Sequence, residues 1–507
     1  MIKRAGIFFF ILLALVSVVS AQTRPPVFDV KAYGAAADGK TLDTAAINKA
    51  IDAANAAGGG TVFFSAGTYL SGSIHLKSNI TLYLDQGAVI EATSDPEAYD
   101  PIEESQKQWD KYQDFGHTYF HNSLIWGENV HDVAILGPGM IYGKGLTRTA
   151  NKRVGNKAIS LKFARNVIIR DISMLMGGHF AILATGVDNL TIDNIKIDTN
   201  RDGIDIDSCR HVRISNVSVN SPWDDAIVLK GSHALGFARD TEDVTITNCE
   251  VSGFENGTFL NGTYKKSGPP PERNGPTGRI KIGTESEGAF RNITISNCVF
   301  DYSRGLALET VDGAEISDVS ISNITMRDIS NAPIYIRLGA RMRAPEGVPV
   351  GTLHRVNISN IVVYDADPRY GSMIMGIPGH DIEDVKLSNI RIYQRGGGTK
   401  EQAAIIPPEK EKEYPEPYRH GEMPSYGFFI RHVKGIEFTN VEVSTITPDL
   451  RPAFVLHNVK DADFNLVKAQ QAPGVPTFSL QDVDGFTLFH SGSLPDLKLG
   501  SVKQKQF

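Results

Sequence analysis

The feature that most constrains this chain is a phrase that recurs between residues 166 and 440: polar, Val or Ile, polar, Ile, polar, Asn. It reads Asn166-Val-Ile-Ile-Arg-Asp, then Asn189-Leu-Thr-Ile-Asp-Asn, then His211-Val-Arg-Ile-Ser-Asn, with further copies starting at Asp243, Asn292, Asp318, Arg355, Asp384 and Gly435. Alternation of period two, rich in β-branched residues, is the pattern of a strand. Repeated at tens of residues it specifies a solenoid, because each copy can bury its apolar face only on the next. Val167, Leu190 and Val212 are 23 and 22 residues apart, and Ile293 to Val319 is 26. Those spacings are single coils of a right-handed parallel β-helix, so the fold class is all-β. The 49 residues between Val244 and Ile293 predict either an extra coil or an inserted loop. The Asn that closes the phrase (Asn194, Asn216, Asn248, Asn297, Asn323, Asn360, Asn389, Asn440) suits a tight left-handed turn, with stacked amides bonding along the axis.

Solenoid ends need covers. Residues 43–57 predict a short N-terminal capping helix, with Asp43 as N-cap, Ile47, Ile51 and Ala54 on one face, and Gly58-Gly59-Gly60 as the stop. No Pro/Ser-rich linker divides the chain, so residues 22–507 read as a single domain, with Ser267–Pro276 and Ile406–Pro424 as projecting loops. Residues 1–21 start Met-Ile-Lys-Arg, continue through an apolar run and end Val19-Ser20-Ala21. That is the form of a signal peptide cut after Ala21, and the run is short for the roughly 20 apolar residues of a spanning helix. The expectation is a secreted or periplasmic protein with no membrane anchor. Loss of Lys3 and Arg4 moves the formal charge from −7 to −9. A mildly acidic chain is a poor partner for nucleic acid, and attraction to an acidic polymer must come from local basic residues. Cys249 and Cys298 fall at the same point of the repeat and predict stacked buried thiols or a bridge between coils; Cys209 stands apart.

Candidate chemistry sits on two neighbouring coils. One carries Asn200-Arg201-Asp202-Gly203-Ile204-Asp205-Ile206, the next Trp223-Asp224-Asp225-Ala226-Ile227. Asp202 and Asp225 are 23 residues apart, one coil, so their carboxylates are expected as stacked neighbours on one face. Carboxylates gathered in one patch repel, which raises at least one pKa. A protonated acid beside an ionised base is what glycoside hydrolysis uses. From the residues alone, a solvated turn or a calcium site are the alternatives. Asp205 and Asp207 read as flanking polar positions without a catalytic role.

These two motifs resemble the paired Asn-Thr-Asp and Gly-Asp-Asp of polygalacturonases, glycoside hydrolase family 28. The resemblance extends through the opening Phe28-Asp-Val-Lys-Ala-Tyr-Gly-Ala, the Asp43 helix, Gly58-Gly-Gly-Thr-Val and the run that starts at Gly67-Thr-Tyr-Leu-Ser-Gly. It implies an inverting hydrolase of galacturonosidic linkages in a pectic polysaccharide, with no cofactor and no metal. Asp224 would be the general acid, and Asp202 with Asp225 would activate water across a gap of roughly 6.5–9.5 Å. Two departures stand out. The histidine expected after Asn248-Cys249 is missing, and the place of the family's Arg-Ile-Lys reads Gly305-Leu306-Ala307-Leu308-Glu309. Arg279-Ile280-Lys281 lies one coil earlier. Either Arg279 and Lys281 bind the substrate's carboxylate from there, or they pair with Glu285 or Glu309 and the glycan differs, a rhamnogalacturonan for example. His179, 23 residues before Asp202, is a further candidate for substrate binding, with a structural histidine as the alternative. Loops 255–278 and 395–425 suggest exo attack, and the chain is expected to act as a monomer. A calcium-dependent pectate lyase and a non-catalytic glycan binder are the competing functions. The first would release an unsaturated product, and the second would bind without turnover.

Overall fold

The computed structural model describes residues 26–148, 155–267, 275–492 and 494–507. The expected signal peptide lies outside them. Among the described residues no helix is long and apolar enough to cross a membrane.

The repeated phrase forms strands that pair in parallel, coil on coil, within one right-handed solenoid. Val167, Leu190, Val212, Val244, Ile293, Val319, Val356, Val385 and Ile436 stand opposite one another in successive pairings. All of them are buried. Each such side chain contributes roughly 1.5–3 kcal/mol of burial, and in-register stacking makes one continuous core from the period-two pattern. Val244 pairs directly with Ile293, so the long gap holds an inserted loop rather than an extra coil. Leu387 likewise pairs with Phe438 across the second insertion.

The turn asparagines are left-handed, with φ between 50 and 58°. Their amides form a ladder from Asn216 through Asn248, Asn297, Asn323, Asn360 and Asn389 to Asn440, each Nδ2 donating to the Oδ1 of the preceding coil at 2.9–3.3 Å. Asn194 instead donates to Asp171, and Asn216 to Asp193. Cys249 and Cys298 remain free thiols in adjacent coils, buried and in contact.

The helix Thr44–Ala56 lays Ile47, Ala50, Ile51 and Ala54 over the first coils. Asp43 precedes it but makes no capping bond; its carboxylate accepts from the Ala36 and Ala37 amides at 2.7 and 3.0 Å, so it ties down the preceding turn. At the other end Leu497–Gln506 pairs antiparallel with Phe478–Phe489. Phe507 stacks on Phe478 at 5.3 Å, which covers the last coil's edge.

A second face is buried on both sides. It runs through Lys157–Lys162, Phe180–Thr185, Asp202–Asp207, Ile227–Gly231, Ile280–Ser286 and Leu306–Thr310. Ile159, Ile182, Ile204, Ile227, Ile280 and Leu306 point into the core. The alternate residues point outward, under segments that contribute His117 and Tyr414. Polar groups on this face are therefore forced to find partners.

Candidate active site

Asp202 opens one of these strands, and Asp225 lies in the turn before the next. Gly203 donates its amide to the Asp225 carbonyl at 3.0 Å. A Cβ there would sit 2.4 Å from the Ala226 carbonyl oxygen, so glycine is what lets the two coils close up. As a result one carboxylate oxygen from each of Asp202, Asp224 and Asp225 lies within 4.8 Å of the others.

The three environments differ. Asp225 is 2 % exposed and accepts from Arg279 Nε at 2.9 Å, with Lys281 Nζ 2.8 Å from its other oxygen. Burial pushes its pKa up, but Lys281 and Arg279 outweigh that and hold it well below the usual range. Asp202 is 3 % exposed, and burial, reinforced by Asp224 and Asp205, drives its carboxyl well above the usual range against Lys230 and Arg201. Asp224, with its side chain 30 % exposed, opens to solvent. Its Oδ1 accepts from the Asp225 amide at 3.0 Å, and Arg201 Nε lies 3.2 Å from Oδ2. Arg201 Nε is also 3.6 Å from Asp202.

Arg279 and Lys281 point outward together with Ile280 turned inward, as period two requires. They are buried against carboxylates: Glu309 lies 3.7 Å from Arg279 and 3.8 Å from Lys281, and Glu416 2.7 Å from Arg279. Glu285, the other partner expected from sequence, instead lies 3.5 Å from Lys230. Ala307 stands in register with Lys281. His179 reaches the trio through Arg201. Its Nε2 lies 2.9 Å from Asp114, while Arg201 donates to Nδ1. The Arg148 carbonyl oxygen also lies 3.1 Å from Nδ1, and burial lowers the pKa of the ring towards the neutral form. Where the family's histidine is expected, the turn after Ser252 is anchored by Asp198, which accepts from the Gly257, Phe259 and Leu260 amides.

Asp205 and Asp207 are more than flanking positions. Lys230 Nζ lies 3.0 Å from Asp205, and His117 Nδ1 lies 3.2 Å from Asp207. Burial raises Asp205 to about 6 against Lys230 and His117. Burial also pushes Asp207 up, but His117 and the Ser232 bonds hold it low. Lys230 was legible, since it alternates with the inward-facing Ile227 and Leu229 and so must point outward. Arg201 adjoins Asp202 in the motif. His117, Tyr414 and Glu416 arrive on loops and carry no pattern that sequence reasoning could use.

Asp224 faces a cleft of about 470 Å³ lined by Trp223, Thr277, Arg304, Tyr414, Glu416 and Tyr418. The carboxylates suit a metal poorly. Both oxygens of Asp225 already face cations, and Arg201 occupies the approach to Asp202 and Asp224. What the arrangement can do is donate a proton from one carboxyl and take one with another.

A right-handed parallel β-helix carrying such a site is an O-glycosyl hydrolase. Two family models match overlapping segments: "Rhamnogalacturonase A/epimerase, pectate lyase-like" over residues 27–125, and "Glycosyl hydrolases family 28" over residues 102–253, which includes the aspartate trio. The chain is polygalacturonase-like and resembles glycosyl hydrolase family 28 across the segment that holds the trio. A probable polygalacturonase of Vitis vinifera is 26% identical over 387 residues, 71% of this chain and 73% of that one. The fold is shared with a hyperthermoactive exopolygalacturonase from Thermotoga maritima (TM-score 0.60, 17% identity, 96% of both chains). It is shared too with a Yersinia enterocolitica family 28 exopolygalacturonase (TM-score 0.62, 18% identity, 89% of this chain and 79% of that one).

Proposed function

We propose that the chain is an exported, single-domain, monomeric enzyme that hydrolyses α-galacturonosidic linkages in a pectic polysaccharide, with exo attack. The observation that carries the reading is the convergence of three carboxylates from adjacent coils within 4.8 Å, with Asp224 opening to the cleft. Burial and its carboxylate neighbours keep Asp202 from ionising, while Lys281 and Arg279 hold Asp225 ionised. Asp224, the carboxyl that opens to the cleft, passes a proton to the glycosidic oxygen as the C1–O bond breaks. Asp225, with Asp202, takes a proton from the water whose oxygen bonds to C1. Arg201 fixes the orientation of Asp224, and His179 with Asp114 fixes Arg201. Tyr414, Glu416 and Tyr418, all from the second insertion, form one wall of the cleft, which favours attack at a chain end.

Inversion is the primary reading. The trio's spacing supports retention as a second one, because retaining carboxyl groups stand roughly 5–5.5 Å apart. Proton NMR of the first product on pectic oligosaccharides decides. The β-anomer is expected, and the α-anomer would establish retention. Asp224→Asn should abolish turnover while leaving binding intact; full activity in that variant would remove the acid assignment. An unsaturated product absorbing ultraviolet light would replace hydrolysis by elimination.

A further inference from the structure

The cleft beside Asp224 contains a carboxylate that the protein itself supplies. Glu416 comes from the second insertion and is 4 % exposed. Its Oε1 accepts from Arg279 Nη2 at 2.7 Å and lies 2.9 Å from Arg304 Nη1. Its Oε2 is buried without a hydrogen-bond partner, on a side chain that lines the cleft. A carboxylate between two guanidinium groups is the arrangement in which a protein binds a uronate. Here that place is filled. Lys281 is likewise taken, by Asp225 at 2.8 Å.

We infer that Glu416 stands in for a substrate carboxylate, so the cleft position beside Asp224 receives a sugar residue that carries no free carboxylate. The inference rests on the hydrolytic reading and names its substrate class. A uronate entering this position would bring a second negative charge against Glu416, whose counter-cations are already shared. A sugar without a carboxylate adds no charge beside Glu416, whose buried Oε2 already lacks a hydrogen-bond partner. Two residues meet the description: a neutral sugar alternating with galacturonate, or a galacturonate whose carboxyl is methyl-esterified. Trp223 and Tyr418 line the same cleft and suit either, since ring faces pack on the apolar face of a sugar whatever its charge.

The test uses the full chain and three oligosaccharides of equal length: free-acid oligogalacturonate, its methyl ester, and an oligomer alternating galacturonate with rhamnose. Wild type should show at least a tenfold higher kcat/KM on one of the uncharged-position substrates than on the free acid. Which of the two wins identifies the source. Glu416→Ala should raise kcat/KM on the free acid at least tenfold and lower it on the preferred substrate. Asp224→Asn, titrated calorimetrically with the same oligomers, should bind them in the wild-type order without turnover. That binding order reads the inference even if Glu416→Ala leaves Arg279 and Arg304 uncompensated and fails to fold. A wild-type preference for the free acid, or tighter binding of it by Asp224→Asn, overturns the role of Glu416 and leaves the hydrolytic reading intact. An unsaturated product absorbing ultraviolet light would overturn the hydrolytic reading instead.

Discussion

Asp202→Asn and Asp225→Asn change the same atom in the same site and should move stability in opposite directions. Asp225 is a buried anion between Arg279 Nε at 2.9 Å and Lys281 Nζ at 2.8 Å. Breaking a buried pair by removing one partner costs roughly 3–5 kcal/mol, because the remaining charge is left uncompensated. Arg279 keeps Glu416 at 2.7 Å and Lys281 keeps Glu309 at 3.8 Å, so about 2–4 kcal/mol is expected at neutral pH. Asp202 is the opposite case: burial and two neighbouring carboxylates disfavour its charge. The neutral isostere should therefore be at least as stable as wild type at pH 7. The sign of the pH dependence follows. With its folded pKa above the unfolded one, Asp202 destabilises as pH rises, so the advantage of Asp202→Asn fades towards pH 4. Asp225, with a depressed pKa, gives stability that is present above its ordinary value of 3.8 and lost only below it, so the penalty of Asp225→Asn persists from pH 7 to pH 4. Urea denaturation midpoints of both variants at pH 4 and pH 7 measure this. Equal losses, or a larger loss for Asp202→Asn, would refute the assignment of charge within the trio.

Glu309 titrates at about 7 against an ordinary 4.5, with burial the main cause and Lys281 and Arg279 opposing. The native state thus holds an extra proton between those values, and stability contributed by that proton is lost as pH rises through the window. Glu309→Gln should flatten the fall of the melting temperature from pH 4.5 to 7.5, and an unchanged slope would contradict the shift. In the asparagine ladder, Asn323 has φ 58°, donates to Asn297 and accepts from Asn360, each at 3.0 Å. Asn323→Ala should cost ~2 kcal/mol from left-handed strain and lost hydrogen bonds. Asn323→Gly should recover the strain part, and identical melting temperatures for the two variants would exclude strain as a cause.

The β-helix was legible in the sequence because a solenoid is local: one coil dictates the next, and Val167 to Ile436 align simply because the phrase repeats. The trio was legible for the same reason, since 23 residues make one coil and bring Asp202 beneath Asp225. The outward alternation of Arg279 and Lys281 also followed from period two. Their partners did not. Glu416 lies 137 residues from Arg279, and His117 lies 90 residues from Asp207. Both arrive on insertions whose path no repeat constrains. The asparagine turns show the same division at a smaller scale: left-handed geometry was implied by the residue type, but only the packed coils show that Asn194 turns to Asp171 instead of joining the ladder. The chain's own sequence therefore determined the scaffold and the convergence of the three carboxylates, through short-range periodicity. The tertiary structure decided which charges face one another under the covering loops. Burial makes those encounters strong, and that is where the ionisation of Asp202 and Asp225, and the character of the cleft beside Asp224, are set.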